Sequence, residues 1–290
     1  MIKTLKFSDI GKLYDLIAKD YQIYSPVEER GVLNFQKKEK FDRYSLHKYQ
    51  TNHSFKKILL PDKNLDHKNH QAEKVALFGL HLCDLTAISL LNQIFKQDHD
   101  FQIKSKNLLK IAVDCTPDQY CFCQLTDSNH HLGFDLFIQE EESNYLVFAK
   151  SEVGAKILDQ VKAPIRFIGQ YKPIGKPKQN DCDLDFTKKE LAYWQNNCFN
   201  CGACTAVCPL CNCSDIFPKK EQGGSFSRQL KENSCFFENK KGTNEQGVSH
   251  FIECKFAYGI EKFNQPLCTG CGRCIRSCPA EIDIGRIVYE

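Results

Sequence analysis

Cys198, Cys201, Cys204 and Cys208, with Pro209 after the last, are spaced Cys-x-x-Cys-x-x-Cys-x-x-x-Cys-Pro, and Cys268, Cys271, Cys274 and Cys278 repeat that spacing ahead of Pro279. Three thiolates at two-residue intervals can wrap one side of a 4Fe-4S cube while the intervening backbone N–H groups face its sulfides. Gly202, Gly270 and Gly272 permit so tight a wrap. The fourth cysteine points away, and the proline after it disfavours helical continuation, so in two-cluster ferredoxins it ligates the other cube. The spacing therefore predicts two 4Fe-4S clusters with crossed ligands. One set is Cys198, Cys201, Cys204 and Cys278; the other is Cys268, Cys271, Cys274 and Cys208. A pair of zinc sites is the competing reading, but zinc needs two Cys-x-x-Cys pairs, not a three-plus-one set repeated with prolines.

The chain holds 17 cysteines, an odd number, and its first residues carry no continuous apolar core of a secretory signal. Metal or redox chemistry is thus expected in place of a disulfide scaffold. Cys211, Cys213, Cys235 and Cys254 lie between the two motifs, where a fold that brings the motifs together would also close the insertion. They are candidates for a third 4Fe-4S cluster, against the alternative of buried thiols packed as small hydrophobes. Cys83, Cys115, Cys121 and Cys123 fall in loops after predicted strands, where α/β folds place ligands. They are candidates for a further cluster or a zinc ion, with iron–sulfur preferred. Cys182 has no evident partner, and the nine histidines form no ligand pattern, although His130 and His131 follow the CFC run. GLHLCD after VALF has a single glycine, so no Gly-rich dinucleotide fingerprint is present and NAD(P) binding by this chain is not expected. No catalytic residue is assigned.

These cysteines need elements to position them. Val75–Gly79 reads as a buried strand whose loop reaches Cys83 and Asp84, capping a helix through LTAISLLNQIF. Leu108–Val113 is a second strand running into DCTPDQYCFC, and Phe134–Gln139 and Tyr145–Ala149 are two more. An α+β or α/β N-terminal domain over 1–170 follows. YKPIGKPKQNDCDLD, at 171–185, is rich in Pro, Gly and charge and reads as a linker. From 186 to 290 helix and loop are expected: Thr187 is placed to cap a helix through KKELAYWQNN, and GTNEQG at 242–247 reads as an exposed loop. The long separation of the motifs favours a mostly helical dicluster ferredoxin-like domain over a compact βαββαβ ferredoxin with an insertion.

At 290 residues and 42% hydrophobic the chain can bury a substantial core. No apolar run approaches the roughly 18 residues that span a bilayer, and a soluble, cytoplasmic protein is expected. The formal charge of +3 is too small to imply nucleic-acid binding. Two oxidised clusters, each with four thiolates, take the loaded protein to about −1.

Taken together, SFKKILLPDK, VALFGLHLCDLTAI, DCTPDQYCFC followed by GFDL, CFNCGACTAVCPLCNC and CKFAYGIEKFNQPLCTGCGRCIRSCPAEID resemble one family. It is the 4Fe-4S dicluster beta subunit of cytoplasmic NAD(P)-linked NiFe hydrogenases (sulfhydrogenases), and the chain is also similar to the A-type relay component of anaerobic sulfite reductase. The resemblance spans most of the chain. It implies an iron–sulfur protein that relays electrons between the partner chains holding a catalytic metal centre and a flavin-containing, diaphorase-like NAD(P)H subunit. His81 and Leu82 depart from the family's Arg-Pro, ENSC from its Trp-Asp-Ser-Cys, and Cys254 from its histidine. Histidine and cysteine both ligate iron, so the last departure fits a ligand position beside Cys211, Cys213 and Cys235. An autonomous polysulfide reductase using the extra cysteines is the alternative of a different class, and an iron–sulfur or zinc regulatory module is a third.

Overall fold

The computed structural model describes residues 1–66, 73–128, 133–165, 188–237 and 245–289. Strand β1 (Ile2–Leu5) leads into helix α1 (Phe7–Ala18), whose Ile10, Leu13, Tyr14 and Ile17 recur at helical spacing and are buried. Strands β2 (Gln22–Glu29) and β3 (Val32–Lys37) form a hairpin. A 3₁₀ turn at Arg43–Leu46 follows, its Tyr44 and Ser45 N–H groups accepted by the Asp42 carboxylate. After a short helix α2 (Lys56–Leu59) and a two-residue strand β4 (Lys63–Asn64) comes the central βα unit, β5 (Val75–Leu80) and α3 (Leu82–Ile94). The residue before α3 is His81, whose backbone N–H donates to Asp84 at 3.2 Å, so Asp84 closes the first turn from inside. Helix α4 (His99–Lys106), capped by Asp98, precedes β6 (Leu108–Val113). Strands β7 (Leu136–Glu141) and β8 (Asn144–Ala149) and helix α5 (Glu152–Asp159) complete this part.

The strands form a seven-stranded sheet in the order β1-β8-β7-β6-β5-β2-β3. Its centre, β2, β5, β6 and β7, is parallel, while β1, β8 and β3 pair antiparallel at the flanks. Both faces are covered. Leu13, Ile17 and Leu158 of α1 and α5 pack on Phe78, Ile111 and Leu136 on one side. On the other, Leu85, Ile88 and Leu91 of α3 pack on Leu77, Leu80 and Phe137, joined by Leu210 and Leu267 from the far end of the chain. Burial on both faces explains why β5 and β6 read as continuous apolar runs. The strands expected at 75–79 and 108–113 coincide with β5 and β6 almost end to end, whereas β1, β2 and β3 had no counterpart in the sequence reading.

The C-terminal part comprises α6 (Lys188–Asn197), α7 (Ala203–Val207), strands β9 (Ser214–Lys220) and β10 (Phe226–Glu232), then α8 (Glu245–Ile252). A π-helical turn, Glu253–Ala257, joins α8 to α9 (Tyr258–Phe263), and α10 (Arg273–Arg276) and α11 (Ile284–Tyr289) follow. Helix and loop alone do not describe this region. β9 and β10 form a hairpin, and β10 also pairs with β4 to give a second sheet, β4-β10-β9. The expectation missed the hairpin because its strands are polar and mostly exposed, and Pro218 sits on the edge strand β9, where a missing N–H costs no ladder bond. The loop expected at 242–247 is corrected in its last three residues, which begin α8; Gly247 lies against the Phe236 ring. The linker at 171–185, Thr187, Cys182, His130 and His131 lie outside the described residues.

Candidate metal centres

The two motifs adopt one backbone pattern twice. In the first, Asn200 and Gly202 have φ of 51° and 71°; at the matching positions of the second, Gly270 and Gly272 have φ of 59° and 73°. Each pair of left-handed residues curls the loop back before a short helix, α7 or α10. The curl turns backbone N–H groups toward sulfur: Asn200 donates to Cys198 Sγ at 3.4 Å and Gly270 to Cys268 Sγ at 3.5 Å, while Leu210 donates to Cys208 Sγ at 3.4 Å. A repeated cradle of N–H groups around cysteine sulfur fits an anionic iron–sulfur centre.

Each fourth cysteine lies near the other motif, and Cys208 also faces Cys204 of its own. Cys278 faces Cys198 and Cys204, and with them and Cys201 lines a pocket walled by Phe236, Val248, Phe251 and Ile252. Cys208 faces Cys268 and Cys274. Burial pushes the thiols of Cys198, Cys204 and Cys274 up, and that of Cys268 to about 12. Cys208 goes the other way: a hydrogen bond with Cys211 and the nearby Lys255 ammonium hold it well below its ordinary value despite burial. Cys211, the donor in that pair, is correspondingly raised. A metal centre must displace the protons that the raised thiols hold at neutral pH.

The extra cysteines fall into two places. Cys235 faces Cys213 and Cys254, and burial raises it to about 11. Cys213 is exposed, and Cys211 engages Cys208. In the N-terminal part, Cys83 lies not in a loop but in the first turn of α3, just past β5, and Cys115 follows β6, at the carboxyl ends of adjacent parallel strands. Cys83, Cys123 and Cys271 pack as one buried cluster, and Cys115 faces Cys123 and Cys121. Burial lifts Cys83 well above the ordinary thiol range, Cys115 and Cys121 to about 12 and Cys123 to about 11. The Gln50 amide donates to Cys83 Sγ at 2.8 Å. Among the described residues, no three His, Cys, Asp or Glu side chains are gathered as the ligands of a single ion.

The loop carrying Cys121 and Cys123 is pressed onto the second motif. Phe122 N–H donates to Gly270 O at 2.8 Å, and a Cβ on Gly270 would lie 2.5 Å from the Phe122 carbonyl carbon. A Cβ on Gly272 would lie 2.5 Å from Tyr120 O. These glycines serve close approach as well as curl, which the spacing did not reveal.

Two buried cations beside the second motif's cysteines, Arg273 and Lys255, went unnoticed in the sequence. Arg273, 0% exposed, donates from Nη1 to Asp84 Oδ1 at 2.7 Å and from Nη2 to Asp84 Oδ2 at 3.2 Å. It also reaches Gln50 Oε1 at 2.7 Å, Thr51 Oγ1 at 3.0 Å and Thr51 O at 3.0 Å. The helix within the second motif, α10, is thereby bolted to α3. Lys255 lies in the π-helical turn, beside Cys208 and Cys268. Burial alone would lower its ammonium, but the sulfurs of Cys208, Cys211 and Cys268 outweigh that and hold it well above the ordinary lysine range. The only available signal was position: Arg273 stands inside Cys-Gly-Arg-Cys, and Lys255 follows Cys254.

Residues 197–282 match the 4Fe-4S dicluster domain family. The chain is 27% identical to sulfhydrogenase 2 subunit beta of Pyrococcus furiosus over 309 aligned residues, covering 93% of this chain and 92% of that protein. No solved structure matches the chain. The resemblance read from the residues is supported, and so is its core: the chain carries a 4Fe-4S dicluster domain and is an iron–sulfur protein of the electron-transfer kind. No helix among the described residues is long and apolar enough to cross a membrane.

Proposed function

We propose that this dicluster iron–sulfur chain is the electron-relay subunit of a cytoplasmic multisubunit oxidoreductase. It passes electrons between a flavin/NAD(P)H subunit of diaphorase type and a catalytic metal centre on a hydrogenase or sulfur-reductase partner chain. The ligand sets are Cys198, Cys201, Cys204 and Cys278 (first site) and Cys268, Cys271, Cys274 and Cys208 (second site). When bound, each 4Fe-4S cluster supplies a one-electron step. The protein's residues bind through thiolates, orient them with backbone N–H groups, and exclude water with Phe236, Val248, Phe251 and Ile252.

The observation that carries the relay reading is contiguity. Cys271 of the second site packs with Cys83 and Cys123 of the N-terminal group. Cys274 of the second site faces Cys204 of the first, and Cys204 faces Cys235 of the insertion group. Four thiol groups thus follow one another through the protein, which suits conduction more than turnover at one place. In this reading Cys83, Cys115, Cys121 and Cys123 hold a further cluster or a zinc ion, and Cys211, Cys213, Cys235 and Cys254 a third cluster. The division into 1–170 and 186–290 is retained.

One observation favours a second reading, direct polysulfide reduction: the exposed Cys213 and the half-buried Cys211 line a cleft of about 730 Å³. Anaerobically purified protein decides between the two. The relay reading expects a protein that dithionite reduces but that turns over no polysulfide alone, and that co-purifies with a flavoprotein; steady turnover without partners would overturn it. Within it, Cys208→Ser should damage the centre of Cys268, Cys271 and Cys274. Damage confined to the centre of Cys198, Cys201 and Cys204 would refute the crossed assignment.

A further inference from the structure

Lys255 is buried at 3% exposure, yet among the described residues no carboxylate pairs with it. Its ammonium donates to Cys208 Sγ at 3.2 Å and to Leu267 O at 3.2 Å, and lies 5.0 Å from the centre of the Phe251 ring. Its backbone carbonyl accepts the Leu267 N–H at 2.6 Å. Lys255 therefore clamps both main-chain groups of the residue that precedes Cys268. The π-helical turn Glu253–Ala257 widens the helix by a residue at this point, a feature that recurs at functional sites and re-aims side chains.

A buried ammonium with no anion is costly enough that lysines in such places are either neutral or matched. The anions within reach here are sulfurs: Cys208 in contact, Cys211 and Cys268 nearby. The other buried cations near these sulfurs are answered by carboxylates, Arg273 by Asp84 and Lys56 by Glu232. The pocket of Cys198, Cys201, Cys204 and Cys278, which Cys274 also lines, has otherwise apolar walls. Charge is thus distributed unequally between the two sites.

We propose that Lys255 is the fixed counter-charge of the second ligand set, Cys208, Cys268, Cys271 and Cys274, and sets its reduction potential above that of the first. The inference rests on the ligand reading given above. A cube with four thiolates carries about −2 when oxidised and about −3 after taking one electron. An ammonium in hydrogen-bond contact with one of those sulfurs favours the more negative state, so it draws the couple toward reduction with no proton transferred. Its place against Cys208, the thiolate that ties the first motif to the second site, puts that charge between the two sites.

The test is a dithionite titration of the anaerobically loaded full-length protein, followed by electron paramagnetic resonance, with iron assayed on every sample. The signal of the second site is identified as the one that Cys208→Ser perturbs. Lys255→Met should keep the iron content and lower the midpoint of that signal by at least the equivalent of a tenfold change in the one-electron equilibrium, about 59 mV. Lys255→Arg, which keeps the charge, should restore most of the difference. If Lys255→Met takes up less iron, Lys255→Gln against Lys255→Arg gives the same contrast of charge removed with charge kept. Full iron with an unmoved midpoint overturns the inference, and so does a shift confined to signals that Cys208→Ser leaves alone. A Cys208→Ser protein with every cluster signal intact would instead sink the ligand assignment, whatever Lys255 does.

Discussion

Arg273 and Lys255 both lie out of water, and they keep their charge by different means. Arg273 has a fork of carboxylate and carbonyl acceptors, Asp84 first, and is held above even the usual arginine range against the penalty of burial. Lys255 has sulfur. Removing one member of a buried, hydrogen-bonded ion pair strands the other, which costs about 3–5 kcal/mol. Arg273→Met should therefore destabilise the iron-loaded protein by about that much, seen as a lower denaturant midpoint, and a loss below about 1 kcal/mol would mean that Asp84 finds another partner. The dicluster motifs were legible because cluster geometry imposes spacing on sequence. Lys255 and Arg273 were not, because nothing local tells which of 39 Lys and Arg residues will lose its water.

Among the elements, those buried on both faces were the easiest to read. β5, β6 and α3, which holds Cys83 in its first turn, are apolar runs bounded by turn residues, and so were found near their true ends. β1 was hidden because MIKTL runs straight into the helical spacing of α1. β2 carries Pro26, which lies beyond the Gln22–Tyr24 stretch paired with β5. The β9–β10 hairpin buries little of its own surface, and its one clear signal was the turn EQGGS, between the strands. The cysteine loop after β6 was placed correctly at a strand end, but its docking onto the second motif depends on atoms far apart in the chain. Gly272→Ala tests that docking: a Cβ forced to φ of 73° and 2.5 Å from Tyr120 O should cost more than about 1 kcal/mol. It should also make Cys121 and Cys123 react faster with a thiol reagent in the iron-depleted protein. Unchanged labelling and stability would show that the 120–123 loop yields freely.

For the whole molecule, the sequence identified two reactive regions but not how tightly they are joined. Leu210 and Leu267 enter the core under α3, and Cys271 enters the N-terminal thiol group. A protein built around four adjoining thiol groups should carry more than two cubes. We expect at least about twelve irons per chain, against about eight for two clusters and about sixteen for four. Zinc assayed on the same sample separates a zinc ion among Cys83, Cys115, Cys121 and Cys123 from a further cluster. About eight irons and no zinc would reduce those four and Cys211, Cys213, Cys235 and Cys254 to ordinary thiols. The short strand β4 carries a consequence of another kind. Because Lys63 and Asn64 close the sheet on Leu230 and Gln229, and Arg273 finds its anion on α3, the dicluster segment is not a detachable cassette. Transplanted into another enzyme by gene fusion, it would arrive with a bare strand edge and an orphaned guanidinium.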